Sequence, residues 1–95
     1  MGKVVVDFYF AVKKVVGQPK IELEMQDATL KSLLDELAEK FGNKFNELLF
    51  DQNKKVKPFF NIMVNGRQYQ YLPGGLDVRL NDGDVVSIFS PVAGG

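Results

Sequence analysis

The 95-residue sequence predicts an α+β fold, with a mixed sheet of about five strands packed on one main helix. One stretch has the spacing of a long amphipathic helix, and the other apolar stretches are short, alternating and separated by turn residues. The first and last of these stretches are the most hydrophobic. Since such runs occupy sheet centres, we expect these two to pair side by side in the middle.

The first part of the chain predicts two strands joined by a turn. The segment KVVVDFYFAV is rich in β-branched and aromatic residues, which favour strands. The residues that share its apolar face by period two are Val4, Val6, Phe8 and Phe10. Gly17 and Pro19 mark the turn. The segment KIELEM then alternates, which predicts a half-buried strand and completes a hairpin; its apolar face comprises Ile21, Leu23 and Met25.

The next segment changes to helical periodicity. Its apolar stripe comprises Leu30, Leu33, Leu34, Leu37, Ala38 and Phe41. Asp27 or Thr29 can cap the start of this helix, and Gly42 follows the last apolar position, where a left-handed residue is usual. We therefore expect the stripe, including Leu34 and Leu37, to lie in the core under the sheet.

The second half of the chain predicts a short helix and three strands. The short helix is indicated by Phe45, Leu48 and Leu49, within a segment 43–58 that also carries a lysine run expected in a solvated loop. FFNIMV and RQYQYL predict two strands around a tight turn at Asn65–Gly66. LNDGD is a further turn, in which Asp82 and Asp84 are turn residues rather than a catalytic acid pair. VVSIFS is the last strand.

Composition excludes several classes of function. Twelve basic and twelve acidic side chains give no net charge, which argues against a nucleic-acid binder. The absence of cysteine and histidine argues against a zinc or copper site and removes the best nucleophile and the commonest general bases. No apolar run reaches the roughly 18 residues of a membrane span. We expect one cytoplasmic domain spanning residues 1–95, with no membrane partner and no bound cofactor.

The order of elements is β-β-α, a short helix, then β-β-β. With its first and last strands paired, this order is that of a ubiquitin-like β-grasp roll. Pro91 lacks a backbone N–H, so strand pairing should stop there and residues 91–95 should form a flexible tail. Such a tail reaches about 16 Å. Gly94 and Gly95 have no side chain and can enter a narrow channel, which would deliver the terminal carboxylate.

The sequence resembles the MoaD/ThiS-type sulfur-carrier family, above all the small subunit of molybdopterin synthase. The resemblance is carried by the element order, by DGD before the last strand, by the ending PVAGG, and by YFAVKKVVG in the first strand and turn. It covers both ends of the chain and the helix, whereas the segment 43–58 is longer than in a minimal member.

The resemblance implies that the Gly95 carboxylate is adenylated and then converted to a thiocarboxylate, which donates sulfur in molybdopterin synthesis. The implied partners are a ubiquitin-activating-like adenylyltransferase of the MoeB type, which uses ATP, and a large MoaE-type synthase subunit. The chain itself would be non-catalytic. By matching position, the implied contacts with these enzymes are Phe10, Phe89, Pro91, Val92 and Ala93, with Gly94 and Gly95 at the reacting end.

Other functions use the same features. The tail fits a sulfur carrier for thiamine, cysteine or transfer RNA thiolation, and it fits a protein modifier that forms an isopeptide bond from Gly95. A binding module with a ubiquitin-like roll is a third reading. Phe89 follows the alternation of the last strand to the outer face, where it either contacts a partner or covers the sheet edge.

Overall fold

The computed structural model describes residues 2–90. It contains five strands, two helices and two short 3-10 turns, at Tyr69–Tyr71 and Gly75–Asp77. The strands are β1 (Gly2–Phe8), β2 (Lys20–Met25), β3 (Asn61–Val64), β4 (Arg67–Gln68) and β5 (Val85–Phe89). The helices are α1 (Phe10–Val16) and α2 (Leu30–Leu49).

The five strands form one mixed sheet in the order β2-β1-β5-β3-β4. The central pair β1 and β5 is parallel, with Val6 opposite Val86 and Phe8 opposite Ile88. The other pairs are antiparallel. The predicted central pairing of the first and last strands is therefore confirmed, and the sheet on its one long helix is the predicted β-grasp roll.

The core lies between one face of the sheet and α2. The buried sheet residues include Val4, Val6, Phe8, Ile62, Val64, Val86 and Ile88. The helix contributes Leu30, Leu33, Leu34, Leu37, Phe45 and Leu49. Leu34 and Leu37 are buried as predicted. The alternation of β2 is also confirmed, since its residues are exposed and half-buried in turn.

Helix α2 begins with a reciprocal cap. Thr29 Oγ1 accepts from the Ser32 backbone N–H at 3.1 Å, and Ser32 Oγ accepts from the Thr29 N–H at 2.9 Å. Two N–H groups that would otherwise lack partners are thereby satisfied. Thr29 is the cap, and Asp27, the other candidate, instead lies 3.9 Å from the Arg79 guanidinium.

Gly42 separates the two parts of α2. Its φ of 77° and ψ of −155° are non-helical, so the helical segments before and after it meet at a kink. The Asn46 side-chain amide donates to the Ala38 carbonyl at 3.0 Å and to the Gly42 carbonyl at 2.8 Å. These bonds satisfy carbonyls that the kink leaves without helical partners. The predicted break at Gly42 and the short helix beyond it are both present.

The first predicted strand extends beyond the end of the observed one. The strand ends at Phe8, and Phe10 to Val16 form α1, which Gly17 closes with a left-handed φ of 87°. The expectation that Phe10 lies on the core face is therefore wrong. Phe10 has a φ of 54°, which breaks the strand alternation, and its side chain is 59% exposed. Consequently β1 and β2 pair in antiparallel fashion but are joined by a helix rather than by a short hairpin turn.

The later turns form where the sequence predicts them, whereas the fourth strand is shorter than predicted. Asn65 and Gly66 both have positive φ, as a two-residue hairpin turn requires. Asp84 accepts from the Asn81 backbone N–H and the Asn65 side chain, which confirms its role as a turn residue. RQYQYL predicts a strand, but only Arg67–Gln68 pairs with β3, because the chain then enters the 3-10 turn.

Candidate functional site

The end of β5 is the candidate site, because the sequence leads from it directly to PVAGG. β1 runs parallel to β5 and also ends here, whereas β3 is antiparallel and begins here. Three strands therefore bring their flanking residues to one end of the sheet. The aromatic residues at this end are Tyr9, Phe10, Phe59 and Phe89. We call these four residues the aromatic end.

Tyr9 connects the two aromatic residues that the sequence singled out. Its ring meets that of Phe89 edge to face, with the ring centroids 5.8 Å apart. The centroids of the Tyr9 and Phe10 rings are 6.5 Å apart. The Tyr9 backbone N–H also donates to the Ile88 carbonyl at 3.3 Å. Phe10 and Phe89 thus belong to one aromatic surface, with Tyr9 between them. Phe89 is half-buried, so it both covers the sheet and contributes to this surface.

The backbone of Phe10 holds its ring out toward solvent. A φ of 54° is uncommon for a residue with a bulky side chain and costs roughly 1–2 kcal/mol. Strain of this kind persists where the surrounding structure enforces it, and it concentrates at functional positions. The strained turn separates β1 from α1 and leaves more than half of a large apolar side chain exposed.

Phe59 extends the aromatic end on the β3 side. It precedes β3 in a turn closed by the Phe60 N–H donating to the Lys57 carbonyl. Its ring packs on the ring of Phe60, which is buried in the core, with the two ring centroids 5.2 Å apart. Phe59 itself is 45% exposed. Since Asn61 is opposite Phe89, this ring lies near the end of β5 on the side away from β1.

The structure brings together some of the predicted site residues and does not describe others. Phe10 and Phe89 lie on the aromatic end, and Ser90, which follows β5, is buried. The remaining predicted site residues lie outside residues 2–90; they are Pro91, Val92, Ala93, Gly94 and Gly95. Their roles, and the flexible tail they were predicted to form, stay predictions.

The sequence patterns do not identify Tyr9 and Phe59 as site residues. Period two placed Tyr9 on the outer face of an uninterrupted strand, with no signal that the strand stops at Phe8 and that the ring meets Phe89. In the sequence, Phe59 marks only the start of the predicted strand FFNIMV. The signal that could have identified it is the topology, because the antiparallel partner of the last strand must begin where the last strand ends.

Two classes of site find no support in the described part of the chain. Among residues 2–90, no group of three or more acidic side chains is arranged to hold a metal ion. Neither helix in this range has the length and apolar character needed to cross a membrane.

The five-stranded mixed sheet packed on one main helix is a ubiquitin-like β-grasp fold. The comparisons with known proteins define the class further. The chain belongs to the ThiS family, which it matches over residues 6–95. The family resemblance predicted from the sequence is thereby confirmed, and the chain is one of the ubiquitin-like sulfur carriers and modifiers.

Individual relatives cover nearly the whole chain. Small archaeal modifier protein 3 of Haloferax volcanii is 38% identical over 89 residues, which are 93% of this chain and 94% of that protein. The crystal structure of SAMP1 from Haloferax volcanii has a TM-score of 0.84 at 22% identity and covers 99% of this chain and 100% of its own, which shows the shared fold. A chain of the Amycolatopsis orientalis BexX/CysO complex has a TM-score of 0.73 at 26% identity. The match covers 97% of this chain and 99% of that chain.

Proposed function

We propose that this protein is a sulfur carrier for molybdopterin, and hence for the molybdenum or tungsten cofactor. The observation that supports the proposal is the juxtaposition at the end of β5. An aromatic surface on a rigid sheet directly precedes the segment PVAGG. A partner enzyme can hold the surface while its active site takes the segment, and the tether then gives the reacting group a high effective concentration.

The reacting group is the carboxylate of Gly95. One of its oxygens attacks the α-phosphorus of ATP, and pyrophosphate leaves, which produces an acyl-adenylate. Sulfide supplied by a donor then attacks the acyl carbon and displaces AMP, leaving a thiocarboxylate. The chain contains no cysteine or histidine, so the activating enzyme supplies the catalytic groups and binds the ATP.

Two partners follow from this chemistry. The first is an adenylyltransferase of the MoeB type, and the second is a large MoaE-type subunit that receives the thiocarboxylate and acts on the pterin. Phe10, Phe89 and residues 91–93 contact these partners, and the protein works in the cytoplasm. The BexX/CysO complex supports the general arrangement, because it joins a chain of this fold to a second protein.

A second candidate is a protein modifier joined through Gly95 to a lysine of another protein. The specific observation in its favour is the 38% identity to a protein named as a small archaeal modifier. It requires the same adenylate, with a lysine amine replacing sulfide as the nucleophile. Carriers that serve thiamine, cysteine or transfer RNA thiolation differ only in the final sulfur acceptor.

Intact mass tests the shared chemistry. The protein is incubated with ATP, the activating enzyme of the same organism and sulfide. Replacement of one carboxylate oxygen by sulfur adds about 16 Da. We expect this gain for the wild type and none after deletion of Gly95. Gly94→Val should block activation because a branched side chain fills a narrow channel. Phe89→Ala should weaken binding to the enzyme and leave the carboxylate reactive at high enzyme concentration.

The outcomes separate the candidates. Transfer of sulfur to the pterin precursor in the presence of the large subunit supports the molybdopterin carrier. A stable adduct on a lysine, formed with loss of AMP, supports the modifier. Equal mass gain by the protein lacking Gly95 contradicts both candidates.

A further inference from the structure

A groove with an unusual set of side chains lies beside the aromatic end. It runs between the end of β1, α1 and the turn that leads into β2. It consists of two adjoining hollows of about 540 and 480 Å³, and Phe10 and Lys13 line both. The first also contains Asp7, Tyr9 and Lys20, and the second contains Lys14 and Gln18.

The rim of the groove is positively charged. Residues 8–21 include Lys13, Lys14 and Lys20 and no acidic residue. All three lysines are exposed. The ion pairs found within residues 2–90 involve other basic side chains, so none of these lysines is neutralised by an acid in the described chain. A chain with no net charge thus concentrates unpaired positive charge at the end of the sheet that precedes PVAGG.

The floor of the groove holds a hydrogen-bond acceptor without a donor. Asp7 Oδ1 is buried and has no hydrogen-bond partner among residues 2–90. Its neighbours on the adjacent strands are Lys20 and Ser87, and neither donates to it. Buried polar atoms in native proteins are almost always paired, so an unpaired one beside a groove is an acceptor that a docked partner could satisfy.

We infer that this groove docks an acidic loop of the activating enzyme. In the docked state, carboxylates of the loop face Lys13 and Lys20, and apolar atoms cover the rings of Phe10 and Tyr9. The half-buried Asp7 side chain turns so that Oδ1, shielded from solvent in the free protein, accepts from an N–H or O–H of the loop. The occupant is a protein loop rather than a free phosphate, because a phosphate would leave the exposed rings of Phe10 and Tyr9 uncovered. This inference rests on the proposed function, which supplies the activating enzyme.

Complementary charge of this kind steers association and fixes the orientation of the bound partner. Contacts at an interface rim act mainly through the association rate and are weakened by salt. The groove therefore predicts a binding constant that depends on ionic strength and on the sign of the charge at positions 13 and 20.

The test measures the Kd between the carrier and the activating enzyme of the same organism by calorimetry, at low and high salt, beside the KM for adenylation. The double variant Lys13→Glu, Lys20→Glu should raise Kd and KM by about tenfold or more at low salt, and the difference should shrink at high salt. The matched control is Lys54→Glu, Lys55→Glu, which changes the net charge equally on a loop outside the groove. It should alter Kd less than about twofold.

A second variant tests the floor of the groove. Asp7→Val removes the acceptor and suits a strand, so thermal stability should stay the same or rise, while Kd rises by about fivefold. If an internal lysine satisfied Asp7 in solution, this variant would instead lower stability and leave Kd unchanged.

Each result has a defined meaning. Equal effects of the two lysine pairs, or no effect of either, overturn the docking site. A wild-type carrier that binds the enzyme through the groove and gains no sulfur keeps the docking site and contradicts the proposed function. A wild-type carrier that does not bind the enzyme overturns both.

Discussion

The two helices of this small protein are built in opposite ways. Helix α2 begins with a reciprocal cap between Thr29 and Ser32 and buries six apolar side chains. Helix α1 has no side-chain cap, begins at the strained Phe10 and buries only Val12. α1 therefore adds little to the core, whereas α2 provides its opposite side.

One helix therefore stabilises the fold, and the other carries residues proposed to bind a partner. From its cap to Gly42, α2 satisfies local rules in both capping and apolar stripe, as expected of an element that stabilises the fold. α1 violates those rules at Phe10 and gains little burial in return. Local violations of this kind occur at functional positions, and here they coincide with the aromatic end and the groove beside it.

The largest expected effect is loss of packing in α2. Leu37 is fully buried, so Leu37→Ala should lower the free energy of unfolding by about 2–5 kcal/mol. Chemical denaturation measures this change. Glu36→Ala, at the exposed neighbouring position, is the matched control and should change stability by less than about 0.5 kcal/mol. A loss below that value at Leu37 would contradict the assignment of α2 as the stabilising helix.

An intermediate effect is expected at the glycines of the two helices. Gly42→Ala places a side chain at φ 77° and ψ −155°, a conformation accessible essentially to glycine, and should cost about 1–3 kcal/mol. Gly17→Ala, at the left-handed end of α1, should cost about 1 kcal/mol. Neither added Cβ meets an atom within 4 Å, so both costs come from the backbone. Thermal denaturation of the pair compares them. Equal costs would mean that the kink carries no special strain.

The smallest effect on stability, and the sharpest contrast with function, is expected at Phe10. Glycine adopts φ 54° freely, so Phe10→Gly should be more stable than Phe10→Ala by about 1 kcal/mol. Both variants lose the exposed ring and should bind the activating enzyme equally poorly. Melting temperature and enzyme affinity, measured side by side, test this. A Phe10→Ala protein as stable as Phe10→Gly would show that the position stores no strain.

Most of the fold could be predicted because its signals are local. Val4, Val6 and Phe8 alternate, the leucines of α2 recur at helical spacing, and Asn65–Gly66 specifies its turn. The hydrophobicity of the first and last strands indicated their central pairing. Each of these patterns persists over several residues or has specific turn chemistry, so tertiary contacts had little to override.

The candidate site was less predictable, because it depends on where elements end. Alternation continued from Phe8 to Phe10 in the sequence, so nothing local indicated that Phe10 would turn outward. The contact of Tyr9 with Phe89 joins residues 80 positions apart, and only the parallel pairing of their strands creates it. The unpaired oxygen of Asp7 has no sequence signal at all, since an acid on the outer face of a strand normally meets water.

The parallel pairing of β1 with β5 has a consequence for synthesis of the protein. β5 occupies the middle of the sheet, between β1 and β3, yet it is the last of the five strands to be made. Until residues 85–89 have been translated, β1 and β3 each lack a neighbour, and the sheet has two separated halves with open edges. Such intermediates are prone to aggregation and proteolysis. A polypeptide that stops before Val85 therefore cannot close the sheet, and the fold itself distinguishes finished molecules from incomplete ones.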